Sequence, residues 1–244
     1  MDILYGRNPV REALRAGRPA RKLVVAEGLG EEPRLREILD LAGGRGIPVE
    51  LAPRSRLDDI AHTEHHQGVA GYFHGRPPLR LEDVLERSHH PALLLVLDGV
   101  QDPQNLGALI RSAEAVGADA VIVPRHRAAG LTPAAVKASA GASEHLAVLS
   151  VPNLAQALAR IGEAGIWRIG LAAEATERYD RVDFREPTAI VIGGEGEGLR
   201  VLTRRSCDRL VALPMAGRVA SLNAAAAGAA ILYEAFRQRG FAPR

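Results

Sequence analysis

The chain has 244 residues, of which 47% are hydrophobic and 25% are charged. This is the balance of a folded globular protein, and it excludes a disordered chain, a collagen-like fibre and a disulfide scaffold. The formal net charge is only +2, but all except two of the 31 basic residues are arginine. One explanation of this abundance is the base composition of the genome. The other is an RNA or phosphate partner, because the planar guanidinium binds phosphate through two N–H groups.

Cysteine content and apolar runs indicate the compartment. The single cysteine, Cys207, cannot form an internal disulfide, and no spaced pair of cysteines is available to hold zinc. The chain carries charge from residue 2, and its longest apolar run, 91–97, is far shorter than the roughly 20 residues of a membrane span. We therefore expect a cytoplasmic protein with no membrane partner.

The first 75 residues are expected to form a small α/β domain. The hydrophobic periodicity predicts three strands and two helices there. The strands lie at 22–26, 49–52 and near 69–73, and the helices at 10–15 and 33–41. Prolines, adjacent histidines and one short amphipathic segment, 81–87, mark residues 76–91 as a linker.

Strands and helices alternate through the rest of the chain, 92–244. Strands are predicted at 93–100, 120–124, 146–151, 167–172, 188–194 and 210–214, and helices at 105–116, 133–140, after Asn153, near Leu202 and at about 222–239. Nearly all-apolar strands that alternate with helices are typical of a parallel sheet covered on both faces. Ligands bind such sheets beyond the carboxyl ends of the strands, so the loops that follow strands carry the candidate site.

The first such loop leads into the helix at 105–116. Asn105 is expected to cap this helix, because a side-chain oxygen there accepts a bond from a free backbone N–H. Arg111 falls outside the apolar stripe of the helix. A cation beside the positive end of a helix favours a phosphate. On spacing alone, a surface arginine on an amphipathic helix is the favoured interpretation, and the phosphate site is the alternative.

The second loop, 191–200, holds four glycines in six positions directly after a buried strand. Glycine permits either a close ligand or a tight turn, and both interpretations stay open. The glycines do not form the GxGxxG dinucleotide fingerprint, and no phosphate-loop GK[ST] follows. Because Glu195 and Glu197 would repel a pyrophosphate, a neutral or cationic small ligand is favoured.

The third loop lies within 213–236, where a strand ends and Ser221 or Asn223 begins a helix of small residues. No Asp or His stands near Ser221 in the sequence, which gives no support for a serine nucleophile. Three histidines, at 62, 65 and 66, are candidate metal ligands, because histidines three or four residues apart can share a helix face. Exposed loop histidines are the favoured interpretation, because no carboxylate-rich helix accompanies them, so no metal site is expected.

Taken together and in this order, these loops resemble a known family. The segments DPQNLGALIRSAEAVGA, IGGEGEGL and LPMAGRVASLN are similar to the three signature motifs of the SpoU (TrmH-type) RNA ribose 2′-O-methyltransferases of the SPOUT superfamily, and VKASAGASEHL is also similar. The N-terminal YGRNPVREAL and HHQGVAGY resemble the ribosomal-protein-like RNA-binding domain of members that modify large-subunit rRNA. The resemblance therefore covers the whole chain.

The resemblance implies a methyltransferase domain at 92–244 with a deep trefoil knot, which is a rare exception to unknotted connections. It also implies a homodimer, S-adenosyl-L-methionine as cofactor and a guanosine of 23S rRNA as target. By position, the cofactor pocket would be lined by Gly193, Gly194, Leu213, Met215, Ser221, Leu222 and Asn223. A sulfonium cofactor carries no phosphate, which agrees with the missing dinucleotide fingerprint.

The same resemblance implies catalytic roles. The motif arginine corresponds to Arg111, which would contact the phosphate and ribose of the target, while Asn105, Glu195, Ser221 and Asn223 would shape the site. Because a guanidinium is a very poor base, we expect Arg111 to position and polarise, with a phosphate oxygen or water as proton acceptor. A tRNA guanosine or rRNA adenosine as target, or a catalytically silent RNA-binding relative, remains an alternative.

Overall fold

The computed structural model describes residues 1–30, 32–77, 79–87, 91–126, 128–219 and 221–242. Its N-terminal half is a four-stranded sheet with helices on both faces. The strands are β1 (Asp2–Tyr5), β2 (Ala20–Ala26), β3 (Val49–Ala52) and β4 (Val69–Phe73), and the helices are α1 (Arg7–Arg15), α2 (Pro33–Gly43) and α3 (Arg54–Ala61). The strand order is β1-β4-β2-β3, with β4 antiparallel to both neighbours and β2 parallel to β3.

The predicted α/β character of this half is confirmed, with two additions. Strand β1, which is only four residues long and pairs with β4 alone, was not predicted. Helix α3 was not predicted either; its short and mostly polar sequence buries Leu57, Ile60 and Ala61 against one face of the sheet. Helices α1 and α2 cover the other face.

The C-terminal half is built on a sheet of seven described strands. They are β5 (Leu93–Asp98), β6 (Ala120–Pro124), β7 (Ala147–Val151), β8 (Trp167–Leu171), β9 (Glu177–Arg178), β10 (Thr188–Gly193) and β11 (Arg209–Ala212). The helices are α4 (Leu81–Arg87), α5 (Pro103–Ala115), α6 (Pro133–Ala138), α7 (Leu154–Glu163), α8 (Val201–Arg205) and α9 (Ala224–Gln238). The order is β7-β6-β5-β10-β8-β11-β9, and every pairing is parallel.

The parallel sheet predicted from the apolar strands is therefore confirmed. All residues of β5 and β10 are buried, because α5 and α9 cover one face of the sheet and α4 and α7 the other. The short strand β9 was not predicted. Helix α4 lies in the segment 76–91 and buries Leu81 and Val84 in the core of this half, so that segment also contributes packing. Residues 78 and 88–90 lie outside the described residues.

The start of α5 differs from the prediction. The expectation that Asn105 caps this helix is wrong, because the carboxylate of Asp102 accepts hydrogen bonds from the backbone N–H groups of Gln104 (3.1 Å) and Asn105 (3.3 Å). Pro103 follows as the first helical residue, where its missing N–H costs nothing. The side chain of Asn105 is thereby free to face the candidate site. The predicted cap of α7 by Asn153 is confirmed.

The three histidines are not equivalent. His62 and His65 are exposed, as expected, but the prediction is wrong for His66, which is 1% exposed. Its Nε2 lies 2.9 Å from a carboxylate oxygen of Asp58, and its Nδ1 accepts the backbone N–H of Gly68. Within the described residues, no group of three or more His, Cys, Asp or Glu side chains is arranged to hold a metal ion.

None of the described helices combines the length and the apolar character needed to cross a bilayer.

Candidate active site

Three polar side chains from three distant segments of the chain meet beyond the carboxyl ends of β5, β10 and β11. The Nδ2 atoms of Asn105 and Asn223 both donate to Oε1 of Glu195, at 2.6 and 2.7 Å. The Nδ2 atom of Asn223 also lies 3.0 Å from Oδ1 of Asn105. These residues, termed the amide–carboxylate cluster below, are separated by up to 118 positions in the sequence, so only the fold brings them together.

The orientation of Asn223 is set by helix α9. Its Oδ1 accepts the backbone N–H groups of Ala225 (2.9 Å) and Ala226 (3.3 Å), which caps the helix. Because the oxygen is committed to the cap, the amide nitrogen must point away from α9 towards Glu195. The prediction that Ser221 or Asn223 begins the helix is confirmed for Asn223.

A cavity of about 580 Å³ opens beside the cluster. This volume lies within the range of small-ligand pockets, roughly 300–1,000 Å³. All seven residues predicted for the cofactor line it: Gly193, Gly194, Leu213, Met215, Ser221, Leu222 and Asn223. Residues 171–174, which are the last residue of β8 and the three that follow it, form a further wall that was not predicted from the sequence.

The lining of this larger cavity suits S-adenosylmethionine chemically. Apolar side chains, including Leu213, Met215 and Leu222, offer contact to a flat apolar ring. The lining carries three carboxylates, Glu174, Glu195 and Glu197, against one cation, Arg204, which pairs with Glu174. The net negative charge of the lining favours a cation over a phosphate. A hydrogen bond from its own backbone N–H, reinforced by Arg204, lowers the pKa of Glu174 and keeps that carboxylate charged.

The glycines after β10 are required by the chain itself. A Cβ on Gly193 would lie 2.1 Å from the backbone carbon of Gly198, and one on Gly194 would lie 2.4 Å from the backbone oxygen of Gly99. The N–H of Gly194 also donates to the backbone oxygen of Asp98 at 2.8 Å. Of the two interpretations left open, the tight turn is confirmed. This turn packs the loop after β10 directly against the loop after β5.

A second cavity of about 400 Å³ lies on the other side of this turn. It shares Gly194, Glu195, Glu197 and Gly198 with the larger cavity and is lined by Asn105 and by the loop after β5. The amide–carboxylate cluster therefore stands between two adjoining spaces. Two ligands could meet there, with Glu195 exposed to both.

Asp98 and Arg200 were missed by the sequence analysis. Asp98 ends the otherwise apolar β5, is 2% exposed and lines the second cavity. Its Oδ2 accepts the backbone N–H of Arg200 at 2.8 Å, and its Oδ1 lies 3.6 Å from Nε of the same residue. A charged residue at the end of a buried strand was the available signal, since such a group is rarely buried without a partner.

The other two predicted catalytic residues are placed differently. Ser221 lines the larger cavity as an exposed side chain. Arg111 is exposed on the third turn of α5 and lines neither cavity. Within the described part of the chain, the side chain of Arg111 makes no hydrogen bond or ion pair. The structure thus unites Asn105, Glu195 and Asn223 but does not bring Arg111 to them.

Comparisons with known proteins agree with this architecture. Residues 92–233 match the SpoU rRNA Methylase family, and residues 3–79 match the RNA 2′-O ribose methyltransferase substrate binding family. A relative from Ralstonia nicotianae, named 23S rRNA (guanosine-2′-O-)-methyltransferase RlmB, is 41% identical over 242 residues, covering 99% of this chain and 97% of its own. A Synechocystis relative named uncharacterized tRNA/rRNA methyltransferase slr0955 is 39% identical; the match covers 99% of this chain but 64% of that protein.

A solved structure is similar over both halves. The SpoU methyltransferase AviRb from Streptomyces viridochromogenes, in complex with the cofactor AdoMet, superposes with a TM-score of 0.83 at 28% identity, covering 98% of this chain and 91% of that one. The fold and the loop site thus define a methyltransferase with a parallel α/β sheet. The chain belongs to the SpoU rRNA methylase family, which confirms the resemblance identified in the sequence.

Proposed function

We propose that the protein transfers a methyl group from S-adenosyl-L-methionine to the ribose 2′-hydroxyl of a guanosine in 23S rRNA. The observation that carries this proposal is the position of the amide–carboxylate cluster between two adjoining cavities. Support for the RNA target comes from the substrate-binding family match and from relatives named for this guanosine reaction.

The larger cavity is assigned to the cofactor, which supplies an electrophilic methyl group when bound. The seven residues predicted from the motifs would hold it, and Glu195 would face its positive charge. The second cavity is assigned to the target ribose. Asn105 and Asn223 hold Glu195 in one orientation, so the wall between the cavities is preorganised before either ligand binds.

Arg111 is assigned to the RNA. A guanidinium with no partner in the described chain is available to a phosphate, and arginine binds phosphate in a bidentate geometry. Its role is to position the target and polarise the hydroxyl, with a phosphate oxygen or water accepting the proton. Ser221, exposed at the rim of the larger cavity, would shape the cofactor side of the site.

The assembly is part of the same proposal. We assign residues 1–75 to RNA binding, 76–91 to the connection and 92–244 to a knotted methyltransferase domain that acts as a cytoplasmic homodimer without a metal ion. Exposed Tyr233 on α9 and exposed Leu222 just before it give this region apolar surface for a second copy.

Methylation mapping tests the proposal. Purified protein is incubated with S-adenosylmethionine and 23S rRNA from cells that lack the gene, and 2′-O-methyl groups are located by mass spectrometry of RNA fragments. One methylated guanosine, the same one that is unmethylated in those cells, is expected. Methylation of tRNA or of an adenosine instead would move the protein to another target. Absence of cofactor binding by calorimetry would identify a catalytically silent relative.

A further inference from the structure

Helix α6 lies between the two halves of the molecule. Val136 is 4% exposed and packs in the core of the N-terminal half, among residues of β1, α1 and β4. A residue of the methyltransferase half thus completes the apolar core of the RNA-binding half. Connection through a flexible linker does not require such a contact.

Another side of α6 packs closely against α5. A Cβ on Gly107 of α5 would lie 2.3 Å from the Cβ of Ala138 and 2.8 Å from the backbone oxygen of Ala135. The two helices therefore touch backbone to backbone. Helix α5 carries Asn105 and Arg111, so α6 is in direct contact both with the RNA-binding half and with the helix that supplies these predicted catalytic residues.

Ion pairs surround this apolar contact. Arg18 of the N-terminal half binds Glu144, which follows α6, at 3.1 Å, and Arg76 also pairs with Glu144. The side chains of Arg18 and Glu144 are only 8% and 2% exposed. His145 pairs with Glu12 at 2.9 Å. Because burying charges is costly unless they are paired, such a pair selects one relative placement of the two halves over others.

A lysine completes the contact. The Nζ of Lys137 donates to the backbone oxygen of His65 at 2.6 Å and lies 5.6 Å from the centre of the Tyr5 ring. Burial lowers the pKa of Lys137. The contact between halves is therefore apolar at its centre and polar at its edge, as expected of a specific interface.

We propose that residues 133–145 form a docking element that fixes the RNA-binding half relative to α5, and that Glu144 is a positioning residue for methyl transfer. The docked arrangement, rather than the length of the linker, then sets which ribose reaches the second cavity. This inference rests on the proposed function for its effect on rate, whereas the docking itself does not depend on the RNA target.

The docking is measured as a distance between the halves. Nitroxide labels are placed on Arg45→Cys and Arg160→Cys, two exposed positions in different halves, and the distance distribution is recorded by electron–electron resonance. The native thiol need not be removed, because burial raises the pKa of Cys207 to about 12 and leaves little reactive thiolate. Glu144→Gln is compared with Asp208→Asn, which breaks the Arg168–Asp208 ion pair inside the methyltransferase half.

Single-turnover methylation of a 23S rRNA fragment and calorimetric cofactor binding are measured on the same variants. For Glu144→Gln we expect a broadened distance distribution, a rate at saturating RNA lowered at least about tenfold, and cofactor affinity within about twofold of wild type. For Asp208→Asn we expect a narrow distribution and a rate near that of wild type.

The outcomes separate the possibilities. A broadened distribution with an unchanged rate, a lowered rate with a narrow distribution, or no change in either quantity would overturn the positioning role of Glu144. If Glu144→Gln does not fold, Lys137→Met, which removes the contacts of the ammonium group with His65 and with the Tyr5 ring, must show the same pattern at smaller amplitude. If wild-type protein methylates no RNA, the proposed function fails, and the distance measurement alone decides whether the docking element exists.

Discussion

Two positions on helix α5 have opposite surroundings. Asn105, in the first turn, is held by Glu195 and Asn223 and lines a cavity. Arg111, less than two turns further on, is exposed and has no partner in the described part of the chain. Both belong to one sequence motif, yet the fold provides hydrogen-bond partners only for the side chain of Asn105.

This difference separates two roles in the proposed mechanism, one inside the cavities and one outside them. The amide–carboxylate cluster is satisfied by the chain itself, so it acts as a fixed wall for ligands. The Arg111 side chain lacks a partner within the described chain and is open to solvent, so under the proposed function it is available to the RNA. Substitutions in the amide–carboxylate cluster and at Arg111 should therefore lower methyl transfer in different ways.

The largest effect is expected at Arg111. Arg111→Ala should lower methyl transfer by roughly 10²–10³-fold, the usual cost of losing one polarising donor. Cofactor affinity should stay unchanged, because the residue lines neither cavity. Arg160→Ala, which removes an exposed arginine from α7, is the matched control and should retain nearly full activity. Near-normal turnover of Arg111→Ala would refute its assigned role.

At the cluster, two helix caps make a matched pair. Asn223→Ala and Asn153→Ala each remove an asparagine cap and should each cost about 1 kcal/mol of unfolding free energy. Only Asn223→Ala also releases Glu195, so it alone should lower turnover, by about 100-fold. Equal turnover of the two variants in a methylation assay would show that the cluster is structural.

The next prediction concerns the packing of α5 against α6 at Gly107, which lies between these two residues. Gly107→Ala should destabilise the protein by about 1–3 kcal/mol, because its Cβ would overlap α6. Gly43→Ala, at a helical position whose Cβ meets open space, should be neutral or stabilising by up to about 1 kcal/mol. Urea unfolding measures both; equal stability of the two variants would contradict the close packing of α5 on α6.

The smallest effect is expected on the pH dependence of the free energy of unfolding. It arises at Glu12, which pairs with His145 where the segment after α6 meets the N-terminal half. Burial acts to raise the pKa of Glu12, but hydrogen bonds from His145 and Arg11 outweigh it, so the pKa lies below its ordinary value of 4.5. A depressed pKa stabilises the fold above the unfolded-state pKa, and the contribution is lost as pH falls through the folded-state pKa.

Urea unfolding between about pH 7 and about pH 3 tests this sign. The stability difference between wild type and Glu12→Gln should be under about 1 kcal/mol and should shrink as the pH falls. Exposed Glu27→Gln should show no such trend. A difference that grows towards acid pH would reverse the assigned sign.

Prediction from sequence succeeded where a local pattern carried the signal. The apolar runs of β5 and β10 predicted a parallel sheet because a strand covered on both faces must be apolar on both. Prediction failed where partners are distant in sequence. Asp102 rather than Asn105 caps α5, and His66 is buried because Asp58 and Gly68 bind it. Periodicity contains no information about such partners.

The sequence by itself determined the fold class, the family and two of the loops that line the larger cavity, those after β10 and β11, because these depend on hydrophobic periodicity and on motifs of contiguous residues. The tertiary structure alone decided three further features. It joined Asn105, Glu195 and Asn223 into one cluster, left Arg111 outside both cavities, and set Val136 in the core of the other half. Each of these depends on contacts between elements far apart in the chain, which only the packed sheet and helices bring within bonding distance.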